Sequence, residues 1–151
     1  MTQPSISKVV DDTVDAVDTE WEPSNTSGEK PIIDKSDDIG KGRDLQVYDY
    51  VEFSKTNPTA IEYHDLPLSS QDIDAAAFVE IKSSEENRRD ELFDEFRRAI
   101  EVQNQGSGTF APADFGRVLF ADITFLDDNT FSAYLVEVTL AFEARGRSVE
   151  T

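Results

Sequence analysis

The chain has 151 residues, enough for one domain with a substantial core. It has no cysteine, which excludes a disulfide framework, a thiolate metal site and a cysteine nucleophile. Thirty-two acidic against 14 basic residues give a formal net charge of -18, so no basic patch is expected that could hold free duplex DNA through counterion release.

Such acidity has two readings: a protein that binds a partner through its acids, or one made for high salt, where self-repulsion is screened. The acids are scattered through both predicted helices and the loops instead of forming one block, which favours the high-salt reading. No run of 18 apolar residues occurs, so no membrane span is expected, and no basic stretch leads into an apolar one at the start, so neither is a signal peptide.

In chain order, residues 1–4 are expected as a mobile end. Ile6, Val9, Val10, Thr13, Val14 and Val17 then share one helical face, predicting an amphipathic helix over 5–19 with Asp11, Asp12, Asp15 and Asp18 on its solvated side. Residues 22–44 read as a long loop, broken by an extended piece at Pro31-Ile32-Ile33. Asp34, Ser36 and Asp38 mimic the start of a calcium loop, but Gly40 stands at the seventh place and Leu45 where the bidentate acid belongs. Gly40-Lys41-Gly42 lacks the rest of a phosphate-loop pattern.

Residues 45–53 predict a strand with Leu45, Val47, Val51 and Phe53 on one face and Gln46, Tyr48, Tyr50 and Glu52 on the other; Asp49 falls unexplained on the apolar side. Residues 54–74, with Pro58 and Pro67, read as a second long loop holding a short strand at 60–64. His64, the single histidine, has no catalytic motif around it.

The centre of the chain is the stretch 77–103. Ala77, Val79 and Ile81 alternate with Phe78, Glu80 and Lys82 as a strand, which feeds a helix opening at Ser83 with Glu86 three residues on, the spacing of a capping box. Leu92, Phe93, Phe96, Ala99 and Ile100 form one apolar stripe about 100° wide. Glu85 with Arg89 and Asp94 with Arg98 have the four-residue, acid-first spacing of helix ion pairs. Two strands close the chain. The first, 117–126, places Leu119, Ala121, Ile123 and Phe125 on one face and Val118 and Phe120 on the other. A turn at Asp127-Asp128-Asn129-Thr130 leads to the second, 131–145, where Tyr134, Val136, Val138, Leu140 and Phe142 face one way. Residues 146–151 are expected as a tail.

The expected architecture is a single α+β domain over 1–151, in the order helix-strand-strand-helix-strand-strand. Its antiparallel or mixed sheet carries two helices packed on one face. No constellation for nucleophilic, acid–base or metal catalysis is found, and no cofactor or metal site is expected; paired acids such as Asp37-Asp38 arise by chance in so acidic a chain. The pattern points away from an enzyme and towards an interaction protein.

The helix ending near Trp21, the piece Pro31-Ile32-Ile33, the strand-to-helix unit 77–100 and the closing hairpin with its long strand YLVEVTLAF together support a resemblance. The chain resembles the tail terminator (tail completion) proteins of long-tailed viruses. The resemblance implies a homohexameric ring at the tail–neck junction of a virion, assembled in the host cytoplasm. Its partners would be the tail tube protein and a neck or connector protein, with DNA passing through the channel without specific binding. With the acidity, it points to a virus of a halophilic archaeon. Tyr48, Tyr50, Arg88, Arg89, Arg97 and Arg98 are the candidate subunit-contact residues. Another head–tail connector, or a monomeric cytoplasmic binding module of a halophile, are the alternatives.

Overall fold

The alternation around Ala77 extends in both directions and builds the strand on which the sheet is centred. The computed structural model describes residues 4–26, 28–35, 49–54, 57–64, 70–104, 115–128 and 133–148. Along them run α1 (Val9–Glu20), a 3-10 turn (Pro23–Thr26), β1 (Ile32–Lys35), β2 (Tyr50–Phe53), β3 (Asn57–His64), β4 (Ser70–Ser83), α2 (Glu86–Gln103), β5 (Arg117–Asp128) and β6 (Ala133–Ser148). The fold is α+β. Among the described residues six strands form one mixed sheet in the order β1-β2-β4-β6-β5, with β3 also on β4. β1 runs parallel to β2 and every other pair is antiparallel.

Register fixes which side chains meet the helices. Ile33 lies opposite Val51, Val51 opposite Ile81, Phe53 opposite Val79, and Val79 opposite Val138, all on one face and all buried. Both helices cover that face. From α2, Leu92, Phe96, Ala99 and Ile100 are fully buried, with Phe96 set between Phe53 (5.9 Å) and Phe120 (6.1 Å between ring centres). From α1, Val9, Val10, Thr13, Val14 and Val17 are buried, and the Thr13 hydroxyl donates to the Val9 carbonyl at 2.5 Å, so its polarity is satisfied within the helix.

Several elements depart from the expected boundaries. Within 54–74 the described residues 57–64 and 70–74 are strand, which lengthens the short strand expected at 60–64: β2 and β3 follow one another along the same edge of β4, Phe53 opposite Val79 and Asn57 opposite Ala76. Pro58 does not prevent this, because it sits on an outer strand, where a missing N–H need not break a ladder. At the other end β6 continues to Ser148, into the expected tail. Gly146 makes the continuation workable: it adopts φ 61° where the β4–β6 register shifts, and its N–H donates to Asp72 at 2.8 Å.

The expected capping box does not form. Ser83 is the last residue of β4, paired with Tyr134, and α2 begins only at Glu86; the Ser83 hydroxyl instead accepts the Glu85 N–H at 3.2 Å. β5 also differs from a simple alternation. Its register with β6 shifts between Phe120 and Asp122, so Val118, Phe120, Ile123 and Phe125 all share the helix-facing side, opposite Phe142, Leu140, Val138 and Val136. Leu119 turns to the far side with Asp122 and Thr124. β5 further runs through Asp127 and Asp128, which the sequence places in the turn.

Candidate functional site

Each candidate contact arginine of α2 is a cation in an acidic chain and has many carboxylates to choose from. Arg88 donates to Asp49 at 3.0 Å and to the Thr26 and Glu29 carbonyls. This gives Asp49 its reason for lying on the apolar side: it anchors α2 to the chain entering β2. Arg89 is 4% exposed; it pairs with Asp127 and Asp90 and lies over the Phe125 ring at 5.0 Å. Arg98 pairs with Glu95 (2.7 Å) and Glu20 (3.0 Å) and donates to the Glu20 carbonyl. Arg97, the most exposed of the four, pairs with Glu101 one turn on. The predicted partners Glu85 and Asp94 are thus replaced. Three of these arginines stitch α2 to other parts of the same chain. Tyr50 is buried at 6% exposure, and Tyr48 lies outside the described residues.

Glu95 is the buried hub of that stitching. Its carboxylate accepts from the Glu22 N–H (2.8 Å), the Asn25 amide (2.9 Å) and Arg98, so the end of α1 and the 3-10 turn are held against α2. Burial pushes its carboxyl pKa up, but the Arg98, Glu22 and Asn25 hydrogen bonds outweigh burial and hold it below the ordinary range.

The opposite face of the sheet carries no helix among the described residues, and its chemistry is set by register. Glu52 lies directly opposite Glu80, and Glu80 directly opposite Glu137, so three carboxylates stand in one row across β2, β4 and β6. Adjacent like charges in such pairs are destabilising. Burial and then the Glu80 charge push the Glu52 carboxyl up. Tyr50 donates its hydroxyl to Glu80 at 3.0 Å, and burial and that carboxylate raise the phenol well above its usual value. The row itself lines a shallow depression of about 480 Å³, together with Phe78, Asp122 and Thr139, and Phe78 is 53% exposed. Among the described residues, no group of three or more metal-ligating side chains comes together. Nor is any described helix long and apolar enough to cross a membrane.

His64 does have a partner. Its Nε2 lies 2.9 Å from Asp72, whose carboxylate also accepts the Gly146 N–H, so one acid ties β3, β4 and β6 together. Those two hydrogen bonds, the Gly146 one first, hold the Asp72 carboxyl below its usual value. Sequence reasoning missed this clamp and the carboxylate row because both depend on which strand lies beside which.

These features define a small α+β domain whose described residues present strand edges and one acidic sheet face that no described helix covers. No family model matches the sequence, and no curated protein sequence does either. Among solved structures, the chain is similar to one in the virion of a native gene transfer agent particle, with a TM-score of 0.56 at 8% identity. The likeness covers 95% of this chain and 96% of that one, so the shared fold runs end to end.

Proposed function

We propose that the chain is a structural protein of a virion: a tail terminator of a long-tailed virus of a halophilic archaeon. It acts by shape and without catalysis. Six copies form a ring that caps the tail tube and joins it to a neck protein, and the genome passes through the channel. The observation that carries this reading is the end-to-end fold likeness to a chain of a gene transfer agent virion. The surface agrees with it, since the described residues offer strand edges and a broad acidic face.

The test is the mass of the purified chain in solution, at salt from low to molar. A particle of about six copies, the closed-ring expectation, supports the reading. A monomer at every salt and protein concentration refutes the ring and favours a binding module.

A further inference from the structure

The sheet has two long margins without a strand partner among the described residues. One is the outer edge of β5, twelve residues long; the other is the outer edge of β3, eight residues long and paired only to β4. The third outer strand, β1, has four residues, and its Lys35 is paired with Asp11 of α1. An unpaired edge exposes a row of N–H and C=O groups that template another strand unless charge or proline guards it.

The two long edges match in two respects. Both carry exposed apolar side chains on the helix-facing side: Ile61 and Tyr63 on β3, opposite Ile73 and Gln71, and Ile123 and Phe125 on β5, opposite Val138 and Val136. These four are 42–48% exposed. Of the two, β3 holds a single acid, Glu62, whereas β5 holds Asp122 and, at its far end, Asp127 and Asp128. Their directions are also complementary. β3 and β6 both run antiparallel to β4, and β5 runs antiparallel to β6, so β3 and β5 point in opposite directions. Rotating a copy about an axis along the strands preserves strand direction. It therefore brings β5 of one copy beside β3 of the next as an antiparallel pair, the more stable arrangement.

We propose that β5 of one copy pairs with β3 of the next, continuing the sheet from subunit to subunit. The contact is heterologous, so it propagates and closes when the rotation allows; a β5–β5 contact would be self-complementary and stop at two copies. Joined this way, every copy's helices lie on one side of the wall and the Glu52–Glu80–Glu137 row on the other. This inference rests on the ring reading above and names its interface.

The chain's lack of cysteine allows a direct test. Three double variants are made, I61C/I123C, Y63C/I123C and I61C/F125C, with each single variant beside them. A bismaleimide spanning about 8 Å reaches both direct and diagonal cross-strand neighbours. The expected result is a denaturant-resistant ladder of linked chains from at least one double variant, and no linkage from any single variant. In parallel, Ile123→Lys should reduce the assembled fraction at least tenfold with the circular dichroism of the monomer unchanged, whereas Phe78→Lys should leave assembly intact. If the unsubstituted chain forms six-copy particles but no double variant gives a ladder, the β5–β3 contact is overturned and the ring stands. Dimers from the I123C single variant also overturn it, in favour of β5–β5 pairing. A chain that stays monomeric throughout overturns the ring and this contact together.

Discussion

Glu95 shows how one buried acid can be stable in a chain that already carries 32. It is 2% exposed, yet three residues meet it with four hydrogen bonds. Glu95→Ala should cost about 2–3 kcal/mol, the range for hydrogen bonds to a charged group left unmade; chemical denaturation at pH 7 measures this. The pH dependence has a definite sign. Because the folded-state pKa of Glu95 is depressed, its stabilisation is full above the unfolded-state value, about 4.3, and is lost as pH falls through the folded value. Glu52 acts in the opposite sense: its raised pKa means the fold disfavours its charge, and that penalty shrinks once pH falls below the raised value and is gone below the unfolded-state one. Glu95→Gln should therefore flatten the acid limb of the stability profile, while Glu52→Gln should raise stability at neutral pH and change little at acid pH. If Glu95→Gln leaves the acid limb as steep as before, the hub is not what acid dissolves.

At the scale of elements, α2 is held by its aromatic stripe and the sheet is strained by its carboxylate row. Phe96 is fully buried between Phe53 and Phe120, so Phe96→Ala should cost about 3–5 kcal/mol; a loss under about 1 kcal/mol would contradict the observed packing. The row predicts the reverse. Glu80→Gln removes like-charge contacts on both sides and keeps an acceptor for the Tyr50 hydroxyl. It should stabilise by about 0.2–1 kcal/mol in low salt, a gain that shrinks in molar salt as screening takes over. Denaturation midpoints of the two proteins at the two salt concentrations decide it; equal gains would mean that charge repulsion is not the cause.

For the whole molecule, the net charge of -18 sets the expectation for salt. If the acids are an adaptation to high salt, Tm should climb steeply between low and molar salt, and a flat profile would exclude that adaptation. If the chain assembles into the proposed ring, its carboxylate-faced walls should not retain duplex DNA at moderate salt, because the phosphate backbone is held chiefly by cations. Filter retention or mobility shift at micromolar protein measures this. Replacing Glu52, Glu80 and Glu137 together by lysine should create retention if that face borders the channel; unchanged behaviour would place the face away from it.

What the sequence determined by itself was the α+β class, the two amphipathic helices, the apolar stripe of α2 and the closing hairpin. Each is a periodic pattern, and periodicity is a local property that burial of one face imposes on consecutive residues. Of the strand on 57–64 the sequence marked only 60–64, and it left the first half of β4 as loop, because their outward residues find no core and their pairing is long-range. The face assignment of β5 failed at one residue, Ala121, where a register shift inverts an alternation that the sequence carries unbroken. Asp49 looked like an error of pattern until Arg88, 39 residues later, was placed beside it. The row Glu52–Glu80–Glu137 and the opposed directions of β3 and β5 were decided by tertiary structure alone. Both are relations between strands distant in the chain, and only the strand order of the sheet brings those residues together.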